Sequence, residues 1–152
     1  MKKIASFEVN HDILEKGIYI SRIDGDITTY DIRLKKPNSG DAMQNAALHT
    51  IEHLAATFAR NSQYGEKVIY FGPMGCRTGF YLLLKRLEED KAIELIKDTF
   101  NFIAEYEGGI PGNTSKECGN YMDHDLKGAK NEAAEFLPVI KNYNTVQLKY
   151  KA

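Results

Sequence analysis

Residues 17–34 read GIYISRIDGDITTYDIRL, and this stretch predicts a β-hairpin. Two runs of alternating apolar and polar residues flank Asp24-Gly25, a dipeptide typical of the tight turn between antiparallel strands. Asp31 and Arg33 should project from one face of the second strand, where they resemble an ordinary surface ion pair. The opposite face should carry the apolar residues that pack on the core: Tyr30, Ile32 and Leu34.

A long helix is predicted after the hairpin, over residues 41–60, DAMQNAALHTIEHLAATFAR. Either Ser39 or Asp41 is expected to cap its first turn. The opposite side from the core carries His49 and His53 among small and amide side chains, where a solvent-facing helix would show lysines and glutamates. We therefore expect both sides of this helix to be covered. Its core stripe at helical spacing should be Ala47, Ile51, Leu54 and Phe58.

The rest of the chain predicts a second pair of strands and two further helices. Residues 67–71 and 80–85 are rich in aromatic and branched side chains and indicate strands. Residues 88–106 indicate an amphipathic helix, and a short last helix is expected at about 124–135. Hairpins combined with long helices predict an α+β fold, in which helices pack on one face of a mostly antiparallel sheet. The inward residues of the amphipathic helix should be Ile93, Ile96, Phe100 and Ile103.

Length and charge limit the classes of function. The chain has 152 residues with 20 basic and 21 acidic side chains, so residues 1–152 should form one domain with a net charge of −1. That balance predicts neither a nucleic-acid partner nor a polybasic membrane patch. No apolar run reaches the about 18 residues of a membrane span, and polar residues interrupt the N-terminus before a signal-peptide core. We expect a cytoplasmic protein whose Cys76 and Cys118 are free, metal-bound or catalytic.

The strongest chemical signal is the H-x-x-E-H pattern formed by His49, Glu52 and His53. Histidines four residues apart on a helix lie one turn apart on the same side, so that two ring nitrogens can bind one divalent ion. Glu52 lies beside them and can reach a molecule on the open side of the metal without being a ligand. The inverzincin class of metallopeptidases uses the same pattern, although histidine pairs of this spacing also occur without a metal.

The third ligand decides the kind of site. A peptidase would take a downstream glutamate, for which Glu132 and Glu135 are available, and would use water as the nucleophile. Cys118 is the stronger candidate because it lies in a glycine-rich loop ahead of a helix, and a thiolate favours zinc or iron(II) over hard ions. It could also be an inert buried thiol. A non-catalytic zinc module would close the site with Cys76 as a fourth ligand.

Several other residues remain ambiguous from the sequence. Cys76 lies in Gly-Pro-Met-Gly-Cys-Arg-Thr-Gly, a tight turn that either presents the thiol to a cleft or places it as a small core residue. His11 resembles a surface histidine. His124 lies between two aspartates near the expected start of the last helix, where a role in the site and a purely local role are both open.

Taken together, these motifs resemble the S-ribosylhomocysteine lyases, which make the precursor of autoinducer-2. The resemblance runs from end to end, and the combination of the histidine motif with GPMGC and ECG is highly specific. The C-terminal KNYNTVQLKYKA is more individual. The matching segments are SFEVNH at 6–11, YDIRL at 30–34, HTIEHLAATFAR at 49–60, GPMGCRTGFYL at 72–82 and KECGNYMDHDLKGAK at 116–130.

The resemblance implies a role for each candidate residue. It implies a homodimer with its sites at the subunit interface, where pocket residues come from the partner. It also implies one divalent metal per subunit, with iron(II) favoured and zinc or cobalt(II) as alternatives. The implied metal ligands are His49, His53 and Cys118, the acid/base pair is Glu52 and Cys76, and the substrate pocket contains Ser6, His11 and Arg33.

The implied reaction accounts for these residue types. In S-ribosylhomocysteine the sulfur of homocysteine is attached to C5 of ribose, and it leaves readily only when a carbonyl at C3 makes the C4 hydrogen acidic. The carbonyl must therefore move from C1 to C2 to C3 before β-elimination releases homocysteine and 4,5-dihydroxy-2,3-pentanedione. We expect Cys76 to handle carbon protons, and Glu52 to handle hydroxyl protons and the elimination. The product could serve quorum sensing, or the reaction could simply recycle homocysteine in the activated methyl cycle.

Overall fold

Two hairpins joined edge to edge form a four-stranded antiparallel sheet in a computed structural model that describes residues 1–151. Residue 152, the end of the predicted domain, lies outside the described residues. The strands are β1 (Gly17–Asp24), β2 (Ile27–Arg33), β3 (Val68–Pro73) and β4 (Gly79–Lys85). Their order in the sheet is β1-β2-β4-β3, so the first hairpin pairs through β2 with the second hairpin. Gly25, at a φ of +61°, makes the turn of the predicted first hairpin.

The helices confirm the predicted α+β fold. Three long helices pack on one another, and they cover the apolar face of the sheet. None of the helices within residues 1–151 is long and apolar enough to cross a membrane. The helices are α1 (Ala5–Glu8), α2 (Asn45–Asn61), α3 (Glu89–Glu105) and α4 (Leu126–Ile140), with short 3-10 turns at Gly65–Lys67 and Thr145–Leu148.

The core lies between this sheet face and the helices, largely where the sequence placed it. The apolar face of β2 is buried as predicted, and so are the four inward residues of α3. In α2 the predicted stripe is buried except for Phe58, which is half-buried and stacks on Phe102 with ring centroids 4.7 Å apart. Packing of the helices on the sheet removes these apolar side chains from water, and this burial is the main favourable contribution to folding.

The ends of two helices differ from the prediction. Helix α2 begins at Asn45 behind Gln44, and neither Ser39 nor Asp41 caps it. The Asp41 carboxylate instead accepts a hydrogen bond from Lys35 at 3.3 Å. Helix α4 continues past the predicted end and through Pro138, because Phe136 and Ile140 on its last turns are buried in the core.

The predicted surface ion pair of Asp31 and Arg33 is wrong. Both residues project from the second face of β2 as expected, but the side chain of Asp31 is only 1% exposed and that of Arg33 only 3%. Tyr150 lies over this face, donates a hydrogen bond to Asp31 and stacks on Tyr19 of β1. The C-terminal segment therefore buries an ion pair that the local sequence pattern predicts to be exposed.

Candidate metal centre and cysteine pocket

Four side chains from three parts of the chain converge into a group that can bind a metal ion. They are His49 and His53 on α2, Cys118 in the loop before α4, and His124 just ahead of that helix. One ligand atom from each lies within 4.8 Å of the others. The Cys118 Sγ is 3.5 Å from His49 Nε2, and tetrahedral coordination of zinc by sulfur and nitrogen gives a separation of about 3.5 Å.

Backbone carbonyls orient the two histidines of α2. The Nδ1 atoms of His49 and His53 lie 2.8 Å from the Asp123 carbonyl oxygen and 2.7 Å from that of Pro111. A carbonyl only accepts, so each Nδ1 carries the hydrogen and each Nε2 keeps a lone pair for a metal. Gly112 has a φ of +73°, and a Cβ there would lie 3.2 Å from His53 Nδ1. A glycine therefore lets this loop approach the imidazole closely.

His124 is the residue that the sequence left open, and the structure brings it to the metal group. Its ring stacks on His49 with centroids 4.0 Å apart and planes 19° apart. Its Nδ1 lies 2.9 Å from Thr50 Oγ1, and its Nε2 is buried without a hydrogen-bond partner in the described part of the chain. Burial and the neighbouring histidines lower the pKa of His124. His124 therefore belongs to the group of side chains whose ligand atoms converge within 4.8 Å of one another.

The donor set fits a transition metal. Neutral imidazole nitrogens and a thiolate suit zinc or iron(II), whereas magnesium and calcium prefer oxygen ligands. His49, His53 and Cys118 are all half-buried, so an ion bound there would be partly shielded while one side stays open. The Nε2 of His124 is also buried without a hydrogen-bond partner among residues 1–151. Buried polar atoms normally have a partner, and a bound ion or ligand would supply one here.

Glu52 lies beside this group without joining it. It lines a cleft of about 350 Å³ together with His53, Tyr70 and Gly112. Among residues 1–151 its carboxylate is not one of the atoms that cluster as potential metal ligands. This position fits a residue that moves protons next to the metal group.

The other predicted site residues line a separate cavity of about 610 Å³. It lies where α1, the end of β2 and the β3–β4 turn meet. The cavity is lined by Ser6 and His11 from the N-terminal segment, Arg33 from β2, and Cys76 from the turn. The structure thus places Cys76 with the three predicted substrate residues, and not with the metal ligands.

The β3–β4 turn presents the thiol to this cavity. Arg77 has a φ of +62°, and its N–H donates to the Met74 carbonyl at 3.0 Å, which closes a tight turn around the exposed Cys76. At Gly79 a Cβ would lie 2.4 Å from the Ile32 carbonyl oxygen, so only glycine lets β4 approach β2 here. The interpretation of Cys76 as a small core residue is therefore wrong.

A cation and a hydroxyl accompany the Cys76 sulfur. The Sγ lies 3.0 Å from Thr78 Oγ1, and Arg33 Nη1 lies 4.0 Å from the same sulfur. Arg33 Nη1 also donates to Thr78 Oγ1 at 2.8 Å. The guanidinium and the hydroxyl are therefore the two polar groups that accompany the sulfur at the edge of the cavity.

The alternative ligand sets are not assembled in the structure. Glu132 Oε1 accepts from Lys35 Nζ at 3.0 Å, and Glu135 Oε2 lies 3.7 Å from the same nitrogen. Within residues 1–151 neither glutamate belongs to the metal group, and neither does Cys76. The peptidase ligand set and the closed zinc site are therefore not favoured.

Comparison with known proteins gives a consistent result. The family model described as S-ribosylhomocysteinase (LuxS) matches residues 4–147. An S-ribosylhomocysteine lyase from Phocaeicola vulgatus is 49% identical over 151 aligned residues, which cover 95% of this chain and 94% of the relative. Proteins of the same name from Borrelia garinii subsp. bavariensis and Clostridium acetobutylicum are 49% and 47% identical, with 99% of both chains covered in each case.

Proposed function

The chain belongs to the S-ribosylhomocysteinase (LuxS) family, and from this premise we propose how its residues share the lyase reaction. The reaction is the cleavage of S-ribosylhomocysteine to homocysteine and 4,5-dihydroxy-2,3-pentanedione by a carbon–sulfur lyase. The observation that most supports a metal-dependent mechanism is the convergence of two histidines and a cysteine beside Glu52.

His49, His53 and Cys118 hold one divalent ion per subunit, with iron(II) favoured and zinc or cobalt(II) as alternatives. The support is the Nε2 lone pair that both carbonyl-bonded histidines leave free, together with the sulfur 3.5 Å from one of them. When bound, such an ion supplies Lewis-acid stabilisation of the negative charge that develops on substrate oxygens.

Cys76 and Glu52 divide the proton transfers. Moving the carbonyl from C1 to C3 requires protons to leave and return at carbon, and Cys76, whose sulfur lies in the cavity beside Arg33 and Thr78, is placed for that task. Glu52 serves the hydroxyl protons and the final elimination, because a carboxylate in the cleft beside His53 can reach oxygens there. Each general acid or base contributes a factor of about 10² to 10⁴.

Ser6, His11 and Arg33 bind the substrate. His11 Nδ1 lies 2.9 Å from the Val9 carbonyl oxygen, so Nδ1 donates there and Nε2 is left to accept from a substrate hydroxyl. The Ser6 hydroxyl lines the same cavity. A sugar with several hydroxyl groups needs such directed hydrogen bonds to be held in one orientation.

The active enzyme is a homodimer with shared sites. Both Glu52 and Cys76 must act on one substrate, yet they line separate cavities of one subunit. A second copy can bring its cysteine pocket against the metal centre of the first. Phe7 lines the cysteine pocket and is 68% exposed, and Ile4, just ahead of α1, is 56% exposed, so both offer apolar area for such a contact.

The broader setting follows from the same premise. We expect one lyase domain over residues 1–152 that works in the cytoplasm. The net charge of −1 supports only the expectation that it has no nucleic-acid partner and no polybasic membrane contact. The dione product feeds autoinducer synthesis and quorum sensing, and the homocysteine returns to the activated methyl cycle.

Thiol release tests the proposal. The metal-loaded protein is incubated with S-ribosylhomocysteine, and free homocysteine is titrated with a chromogenic thiol reagent after the protein is removed. We expect catalytic release by the wild type and loss of both metal and turnover in His49→Ala. A protein that turns over fully after complete removal of its metal would contradict the metal-dependent mechanism.

A further inference from the structure

Tyr150 reaches the cysteine pocket from behind, although it lies beyond the residues 4–147 matched by the family model. Its hydroxyl donates to Asp31 Oδ2 at 2.5 Å, and the same oxygen accepts from Arg33 Nη2 at 2.7 Å. The Tyr150 ring stacks on Tyr19, with centroids 4.9 Å apart and planes 15° apart. The C-terminal segment is thus fixed to the buried ion pair behind the cavity.

The hydrogen bonds continue from Arg33 to the thiol. Arg33 Nη1 donates to Thr78 Oγ1, and this oxygen lies 3.0 Å from Cys76 Sγ. A guanidinium N–H only donates, so it uses a lone pair of the threonine oxygen and leaves the hydroxyl hydrogen free to point at sulfur. Tyr150 and Arg33 both donate to Asp31, and Arg33 donates in turn to Thr78, so a continuous hydrogen-bond network joins Tyr150 to the hydroxyl beside Cys76.

The unpaired atoms of the ion pair show why the tyrosine matters. Asp31 Oδ1 and Arg33 Nε are both buried without a hydrogen-bond partner in the part of the chain that the structure describes. An aspartate and an arginine left to themselves favour a two-point pairing, which would use those atoms. Such a pairing would turn the guanidinium towards Asp31 and take Nη1 away from Thr78. Burial and the charge of Asp31 raise the pKa of Tyr150, so its hydroxyl remains a donor.

We propose that Tyr150 is a positioning residue of the lyase site. By sharing Asp31 Oδ2 with Arg33, it holds the guanidinium in a pairing through one oxygen and keeps Nη1 on Thr78 beside Cys76. The consequence for catalysis rests on the role proposed above for Cys76, whereas the consequence for thiol reactivity does not.

The test is the rate at which Cys76 is alkylated in the metal-loaded full chain. Tyr150→Phe keeps the ring that stacks on Tyr19 and removes only the hydroxyl. Loss of the one hydrogen bond to the Asp31 carboxylate should slow alkylation of Cys76 by iodoacetamide about three- to tenfold at a single near-neutral pH. Peptide mass spectrometry follows Cys76 and Cys118 separately, and Cys118 is the internal reference whose rate should not change.

Tyr143→Phe is the matched control. Its hydroxyl also fastens the C-terminal segment, because it donates to the Ile18 carbonyl at 2.6 Å and lies 3.1 Å from that of Gln147, but it does not bond to Asp31. We expect an unchanged Cys76 rate in this variant. Equal slowing in Tyr143→Phe and Tyr150→Phe, or no slowing in Tyr150→Phe, would overturn the proposal.

A double-mutant cycle tests the route of the effect. Thr78→Val removes the last hydroxyl of this network, so adding Tyr150→Phe to it should slow Cys76 alkylation by less than about 1.5-fold further. Two fully multiplicative effects would refute the route through Thr78. In turnover, Tyr150→Phe should lower kcat through Cys76, and it should also raise KM because the Arg33 guanidinium that it holds is proposed to bind the substrate. Slowed alkylation with unchanged turnover would uphold the positioning role and contradict the catalytic use of Cys76.

Discussion

Replacing Thr50 with valine should destabilise the protein by about 2 to 3 kcal/mol, although the side chain keeps its shape. The Thr50 hydroxyl is buried between α2 and the start of α4. It accepts from the Asp125 N–H at 2.9 Å, lies 2.9 Å from His124 Nδ1 and lies 3.1 Å from the Ala46 carbonyl oxygen. Valine would remove these contacts, at about 1 kcal/mol each, and leave the Asp125 N–H without its partner.

The measurement is urea denaturation of the metal-free wild type and of Thr50→Val, followed by circular dichroism. Thr99→Val is the control, because Thr99 is equally buried but its hydroxyl donates only to the Leu95 carbonyl of its own helix at 2.7 Å. We expect the control to lose less than about 1 kcal/mol, since a backbone carbonyl of the same helix stays bonded to its N–H. Equal losses in the two variants would refute the reasoning that Thr50 joins α2 to the His124 segment.

Three further predictions concern the chemistry and the core. Glu52→Gln and Cys76→Ala should keep wild-type metal content by mass spectrometry and should lose about 10²-fold or more in turnover. Only Cys76→Ala should fail to incorporate solvent deuterium at substrate carbon, as measured by NMR. Cys118→Ala should lose its metal, and added cobalt(II) should not restore the thiolate-to-metal absorption of the wild type. Burial raises the pKa of Tyr19 and Tyr30 to about 12, above an unfolded value of about 10. The free energy of unfolding should therefore be unaffected by these groups below about pH 10 and should fall as the pH rises towards 12. Part of that fall should be absent in Tyr30→Phe when unfolding is followed by circular dichroism at alkaline pH.

The elements that the sequence predicted correctly are those set by local patterns. Alternation around Gly25 is enough to predict the hairpin, and apolar spacing is enough to predict α2 and α3. The spacing of His49 and His53 is likewise local, because a helix places them together whatever surrounds it. Such features depend on few residues and need no knowledge of the rest of the fold.

The features that were missed depend on contacts distant in sequence. Asp31 is buried by Tyr150, which is 119 residues away, so no local pattern marks the pair as internal. His124 contacts Thr50, 74 residues earlier, and its sequence neighbours left a role in the site and a purely local role both open. The placement of Cys76 with Ser6 rather than with the metal group depends on which loops the sheet brings together.

The proposal that two cavities form one active site across a dimer is tested most directly by mixing inactive subunits. A Cys76→Ala subunit has an intact metal group, and a His49→Ala subunit has an intact cysteine pocket, so a heterodimer of the two should contain one complete site. Refolding an equal mixture of the two variants should then restore about one quarter of wild-type thiol release, because half of the dimers are mixed and each has one site of two. Because His11 and Cys76 line the same cavity, an equal mixture of His11→Ala and Cys76→Ala should recover nothing. Recovery in the second mixture and none in the first, with subunit exchange demonstrated by mass spectrometry, would contradict the shared site.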